Sequence, residues 1–272
     1  SYNIRCDKDP APHRWVDREP HVLKVMKEAN ADVICLQEAR QQYAQDLASS
    51  MGFWQLTGQP RKHRDEGTQI MFSRASMRFL DTRTFVLTDR GASPCPPASH
   101  CVEKSTFDGK KCRHVRIFTH THLKHKVSGE FVHIINTHFP LEANEQMICA
   151  QLLQDYVRVN IPQDQNLVMC GDFNSHYSPQ AMQTPLSILL QTPLRDAHDL
   201  EDFSTYEDGF EGLALDNSQT HRLDFIMYRP STGLELVAAD MIDARYGTGG
   251  AFRPSDHLNV QCRVSIVGDG SR

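Results

Sequence analysis

No stretch of about eighteen consecutive apolar residues occurs in this chain, so no part of it reads as a membrane-spanning helix. No short apolar core of a secretory signal opens it either, although a targeting segment removed ahead of residue 1 would leave no trace. Basic excess is also missing. With 29 Lys and Arg against 34 Asp and Glu, the net charge is −5 and the pI about 6.3. That balance gives no global field for non-specific nucleic-acid binding and leaves only local basic patches to do such work. Internal repeats and low-complexity tracts are absent, and the eight cysteines lack the paired short spacings of a zinc site. Cys35, Cys149, Cys170 and Cys262 fall in apolar runs, where cysteine acts as a small hydrophobe. Cys95, Cys101 and Cys112 share one polar loop in which a disulfide can form, and Cys6 is left over. This usage suggests a reducing, intracellular compartment.

What is present is a series of apolar runs that each end on a polar group. In Asn166 to Ser175 the run Leu167 to Cys170 reads as a buried strand that stops at Gly171 and delivers Asp172 and Asn174 to its carboxyl end. At period two, residues 172 and 174 would share one face of an extended segment. Asp and Asn after a strand are also ordinary turn chemistry, but the pattern repeats. Asn3 follows Tyr2, Glu38 follows Val33 to Gln37, His138 follows Ile134 to Thr137, and Asp256-His257 precede Leu258 to Val264. Asp224 lies inside the apolar run Leu223 to Tyr228, where a carboxylate requires a partner.

The intervening elements read as follows. Helices are expected from about Arg18 with Asp17 as N-cap, from Gln42 to Met51, from Ala143 to Val159 and, interrupted by Pro185, from Ala181 to Leu190. Strands are expected at Tyr2 to Cys6, Val33 to Gln37, Trp54 to Gly58, Thr68 to Ser73, Met77 to Leu80, Thr84 to Leu87, Leu223 to Met227, Leu234 to Met241 and Leu258 to Val264. A hairpin pairs Arg113 to His122 with Phe131 to Thr137. The stretch from Asp89 to Cys112 has no period and reads as a loop. Of the 14 histidines, most, such as His21, His63 and His198, read as surface residues.

Tyr-Asn-Ile (2–4), Leu-Gln-Glu (36–38), Asn-Thr-His (136–138), Gly-Asp-Phe-Asn (171–174), Arg-Leu-Asp-Phe-Ile (222–226) and Ser-Asp-His (255–257) together resemble the endonuclease/exonuclease/phosphatase superfamily of deoxyribonuclease-like enzymes. The motifs stand in the family's order over nearly the whole chain. Strands outnumber helices and many are sequence neighbours, which fits two stacked, mostly antiparallel sheets better than a doubly wound sheet. The resemblance implies the same: an α/β/β/α four-layer sandwich with the helices outside. Residues 1–272 read as one domain, because motifs from both ends must meet in one site.

The resemblance implies a Mg²⁺-dependent hydrolase of phosphodiesters, with Mn²⁺ as substitute, acting as a monomer on nucleic acid or a nucleotide. Asn3, Glu38 and Asp256 offer oxygen ligands suited to such an ion. His257 would contact the phosphate with Asp224 orienting its ring, and Asp172 would orient or deprotonate the water with Asn174 as a neutral donor. His138, a position where some family members carry Tyr, places the chain nearer the deoxyribonuclease, sphingomyelinase and deadenylase branches. Glu66 resembles the glutamate that orients that histidine in deoxyribonucleases. Lys124 and Lys126, with the segments Arg61 to Arg64 and Lys110 to Arg113, could form a basic rim that tracks a polynucleotide backbone; solvated loops are the plainer reading. The hairpin Leu123 to Glu130 is polar and basic, unlike the apolar docking hairpin expected of a sphingomyelinase. A nucleotide or phospholipid phosphatase and a catalytically silent binding module of the same fold are the alternatives.

Overall fold

The computed structural model describes residues 1–62, 64–95, 106–107, 110–111, 115–177, 183–201, 203–206, 210, 222–230 and 233–266. His63, Cys101, Cys112 and Arg113, singled out above, lie outside the described residues, as do the side chains of Lys110 and Lys111.

Two sheets stack face to face. The larger has seven strands in the order Arg195–Asp196, Asp224–Tyr228, Asn166–Asp172, Phe131–His138, Arg116–His125, Met77–Thr88 and Gly91–Pro94. The smaller has four, in the order Tyr2–Asn3, Val33–Gln37, Ile70–Ser73 and Trp54–Thr57. A ribbon of Leu234–Ile242 and Asn259–Ile266 lies beside Tyr2–Asn3, tied to it where Val260 N–H donates to the Ser1 carbonyl at 3.0 Å. Within the two sheets only Tyr2–Asn3 with Val33–Gln37, and Phe131–His138 with Asn166–Asp172, run parallel. Each parallel pair is joined by a long helix, Trp15–Glu28 in one case and Ala143–Asn160 in the other, as a parallel crossover requires.

Strand alternation builds three cores. Ile135, Met169 and Phe225 turn outward to pack under Ala143–Asn160 with Leu153 and Val157. Their neighbours Ile134, Cys170 and Ile226 turn inward and meet Cys35, Ile70 and Phe72 of the smaller sheet. On the far side Val22, Val25, Met26 and Leu47 of the helices Trp15–Glu28 and Gln41–Ser50 cover Ile34, Leu36 and Met71. Helix, sheet, sheet, helix is therefore the layer order, an α/β/β/α sandwich with mostly antiparallel sheets.

Several local expectations are corrected. The first helix begins at Trp15, and Asp17 sits inside its first turn, paired with Arg14 at 3.0 Å. Its opening amide, Trp15 N–H, donates instead to Asp7 Oδ1 at 2.9 Å, from a loop eight positions earlier. Pro185 does not interrupt the fourth helix but opens it, with Thr184 and Ser187 forming a reciprocal cap. Met77–Thr88 is one continuous strand, and the stretch after it contributes the edge strand Gly91–Pro94 and the short pair Thr106–Phe107 with Lys110–Lys111. Cys95 is disulfide-bonded, while Cys6, Cys35, Cys149, Cys170 and Cys262 form no disulfide.

Histidines also depart from the surface reading. His198 is buried, its Nε2 bonded to the Asp240 carbonyl at 3.3 Å. His120 shares hydrogen bonds of 2.8 Å with Tyr156 Oη and with His133 Nδ1, and His133 Nε2 meets Gln165 Oε1. Burial, with the neighbouring histidine rings, pushes His120 down to about 3. Burial likewise outweighs the Gln165 bond at His133 and brings it to about 4. Both rings are thus neutral when folded and take protons readily when unfolded. Their stabilisation is complete above about pH 6.5 and is lost as pH falls through the folded values. Urea unfolding is expected to show stability falling between about pH 6.5 and 4. The pair His120→Gln with His133→Gln should flatten that slope, and an unchanged slope would refute the assignment.

Candidate active site

The larger sheet's register aligns one row of polar ends. His138 lies opposite Asp172, and Asp172 opposite Asp224, on three adjacent strands. Paired residues of adjacent strands face the same way, so the three side chains stand together at one rim of the sandwich. The strand Asn166–Asp172 reaches this rim through Gly171 at φ 153°, where an added Cβ would lie 2.1 Å from the Thr137 carbonyl oxygen. From the smaller sheet come Asn3 and Glu38, the latter just past Val33–Gln37 in the left-handed region at φ 57°. Asp256 and His257 enter immediately ahead of Asn259–Ile266.

These groups are joined by a closed set of contacts. His257 Nδ1 bonds Asp224 Oδ2 at 2.8 Å, and its Nε2 lies 3.7 Å from Asp172 Oδ2. His138 Nε2 approaches the same Asp172 oxygen at 3.5 Å. Asn3 Nδ2 donates to Asp172 Oδ2 at 3.0 Å and to Glu38 Oε1 at 3.2 Å, bridging the sheets. Glu38 Oε2 accepts the Cys6 amide at 3.0 Å. Asp256 is held by the Arg5 guanidinium and by Ser255 Oγ at 3.3 Å. One fully buried cation, Arg18, sets the frame. Its guanidinium donates to the carbonyls of Ile4, Arg5, His13 and Pro254 at 2.7–2.8 Å, locking the segments that carry Asn3 and Asp256 against each other.

Burial and mutual charge set the protonation states. Burial opposes charge on His257, yet the Asp224 and Asp172 carboxylates raise its pKa to about 10. Burial, with Asp224 adding and His257 opposing, lifts Asp172 to about 7. His138 goes the other way, well below the usual imidazole range, through burial and the nearby Arg116. Burial also works against charge on Glu38, but the Cys6 amide and protonated His257 hold it well below the usual carboxylate range.

Some expected residues stand elsewhere. Glu66 does not face His138. Its Oε1 pairs with Arg61 at 2.7 Å, and it lies near Glu38 and Cys6, with one donor atom of each within 4.8 Å of the others. Asn174 does not share a face with Asp172, because the strand ends at Asp172 and the chain turns at Asn174, φ 47°. Its amide N–H donates to Asp172 Oδ1 at 2.9 Å, and its Nδ2 to the Phe139 carbonyl at 2.9 Å, so it shapes the turn. Asn3 turns its Nδ2 rather than its oxygen to the carboxylates. Lys124 and Lys126 belong to the opposite end of the molecule. Lys124 pairs with Phe131, the first residue of the strand whose last residue is His138, about 23 Å away at 3.3 Å per residue.

Two cations beside Glu66 are buried in a way the sequence reading did not foresee. Arg116, only 5% exposed, directs its charge toward Glu66, Asp172 and Glu38, and its Nε has no hydrogen-bond partner among the described residues. The signal was an arginine inside the apolar run Val115 to Phe118. Arg61, read as part of a rim loop, is 8% exposed and bridges Asp65 and Glu66.

The description "Endonuclease/Exonuclease/phosphatase family" matches residues 1–257. The chain belongs to this family. Membership suggests a hydrolase acting on phosphoester bonds. Among solved structures, the Bacteroides thetaiotaomicron mannosyl-6-phosphatase superposes with a TM-score of 0.77 at 19% identity, covering 97% of this chain and 98% of that one. The human Nocturnin catalytic domain with a bound sulfate anion gives 0.66 at 20%, covering 98% and 92%. D. rerio TDP2 complexed with single-strand DNA product gives 0.67 at 14%, covering 92% of each chain. At these identities the likeness establishes the shared fold of this endonuclease/exonuclease/phosphatase family member. No curated protein matched the sequence.

Proposed function

We propose that this family member is a Mg²⁺-dependent phosphoester hydrolase acting on a phosphodiester of nucleic acid or a nucleotide. The observation that carries the reading is the buried row of His138, Asp172, Asp224 and His257, in which one carboxylate, Asp224, is committed to the imidazole and another, Asp172, faces both histidines. Protonated His257 would meet the phosphoryl oxygens, where charge develops. Asp172, held by Asn3 and the Asn174 amide, would orient the attacking water and take its proton. Arg116 would add positive charge at the same anion.

The donor set fits a hard divalent ion. Glu38, Asp172, Asp224 and Asp256 crowd one rim, and Asp224 Oδ1 is buried without a hydrogen-bond partner among the described residues, an excess of oxygen charge that a dication would offset. Glu38 would be the principal ligand, with Asp256 across from it and Glu66 beside it, while Asn3 would hold the carboxylates in place. The ion would supply charge neutralisation and a site for the phosphate oxygens. Hydrolysis of bis-p-nitrophenyl phosphate is expected to stop in excess EDTA and return with Mg²⁺ or Mn²⁺. Full turnover after exhaustive chelation would overturn the metal assignment.

A second reading, a phosphatase of small esters, is favoured by Lys124 and Lys126 standing at the far end of the sandwich. Turnover of oligonucleotides compared with sugar phosphates and mononucleotides separates the two. Among the described residues no helix is long and apolar enough to cross a membrane. The disulfide at Cys95 weighs toward an oxidising compartment, against the reducing one inferred from cysteine usage.

A further inference from the structure

Arg5 brings a cation to Asp256, one of the carboxylates placed around the ion. It follows the strand Tyr2–Asn3 in the left-handed region at φ 57°, and its backbone is held on both sides. Its N–H donates to Asn3 Oδ1 at 3.0 Å, and its carbonyl accepts from Arg18 Nη2 at 2.8 Å. The guanidinium forks between two acids. Nε and Nη2 donate to Asp9 Oδ2 and Oδ1 at 3.2 and 3.3 Å, a bidentate grip, and Nη1 reaches across to Asp256 Oδ2. The Asp256 side chain is 2% exposed, that of Asp9 17% and that of Arg5 26%, so the fork runs from the buried carboxylates out to the mouth of the site. Burial opposes the charge on Arg5, but Asp256, Asp9 and Glu38 together outweigh it. Asp256 Oδ1 accepts from Ser255 Oγ at 3.3 Å, which leaves neither of its oxygens idle. Two cations on one carboxylate oxygen repel each other.

We propose that Arg5 is an exchangeable counter-ion of the metal site: Nη1 holds Asp256 until the dication takes that oxygen, and then, still gripped by Asp9, turns to an oxygen of the substrate phosphate. The inference rests on the metal assignment above. Only Nη1 has to let go, because Asp9 retains the other two nitrogens. An anion that draws Nη1 away leaves Asp256 to the ion, and an ion that takes Asp256 leaves Nη1 to the anion. Metal and phosphate therefore strengthen each other's binding through Arg5, by the same factor in either order. Asp9 is the positioning residue of this exchange. A lysine at position 5 would be a single point charge, unable to hold Asp9 and Asp256 together.

The test is Mn²⁺ binding to the whole chain, followed by the EPR signal of the free ion with and without inorganic phosphate. Without phosphate, Arg5→Gln should bind Mn²⁺ at least about tenfold more tightly than wild type. Lys8→Gln is the control, since Lys8 also acts on the charge of Glu38 but is not bonded to Asp256; its effect should stay below about threefold. Phosphate should tighten Mn²⁺ binding in wild type, and that gain should shrink at least about fivefold in Arg5→Gln. An unchanged or weaker Mn²⁺ affinity in Arg5→Gln, or a tightening that Lys8→Gln matches, would overturn the exchange while leaving the metal assignment standing. Absence of Mn²⁺ binding in both wild type and Arg5→Gln would overturn the two together. Binding is read without turnover, so a catalytically silent chain is tested equally well. Thermal unfolding checks each variant. If Arg5→Gln does not fold, Arg5→Lys replaces it and should lose the gain from phosphate; a full gain would overturn the proposal.

Discussion

His257→Gln is expected to lower phosphoester turnover by at least about a hundredfold while leaving the protein folded. Among the described residues the imidazole is the one cationic group that reaches two carboxylates of the row, Asp224 at 2.8 Å and Asp172 at 3.7 Å. Its removal takes away both the positive charge facing the phosphoryl oxygens and the partner that keeps Asp172 in place. Glutamine is preferred to alanine, since alanine would leave the Asp224 carboxylate buried and unpaired, a loss that by itself costs about 3–5 kcal/mol. Thermal unfolding checks that the fold survives, and steady-state rates with saturating Mg²⁺ report the effect. A decrease of less than about tenfold would remove His257 from the chemistry.

The largest expected effect on stability comes from Gly171→Ala. At φ 153° the backbone occupies a region that L side chains rarely adopt, and the new Cβ would stand 2.1 Å from the Thr137 carbonyl oxygen. Backbone atoms of the neighbouring strand cannot yield as a flexible side chain would. Either the pair Phe131–His138 with Asn166–Asp172 separates at its last rungs, or the register is lost. A cost on the order of 3–5 kcal/mol follows, with His138 and Asp172 displaced together. Denaturant titration measures it, and a midpoint within experimental error of wild type would show that the strands have room to part.

Much of the site was legible because each polar residue ends or interrupts an apolar run. Asp224 was readable as a buried charge in need of a partner, and His257 is the group that meets it. Two stacked sheets followed from strands that are neighbours in sequence, while the four-layer order came with the family resemblance. Direction along a strand was harder. Lys124 and His138 lie on adjacent strands of one hairpin, and only the register shows that they occupy opposite ends. Pairings among charges were also hidden, because Glu66 chose Arg61, five positions back, over a histidine 72 positions on. Asn174 defeated the period-two argument since the strand stops two residues too soon. Asp7 capping Trp15 was invisible to a search for local N-caps.

The Arg18 clamp joins carbonyls at Ile4 and Arg5 to one at Pro254, and the site it frames draws Asn3 from one extreme of the matched region and His257 from the other. During translation Glu38, His138, Asp172 and Asp224 are therefore all made before the residues that close the row and the clamp. The imidazole that completes the row and the carbonyl that completes the clamp follow one another closely, at residues 257 and 254. A fragment released before residue 254 would lack both, leaving the Asp224 carboxylate without the imidazole that pairs with it at 2.8 Å.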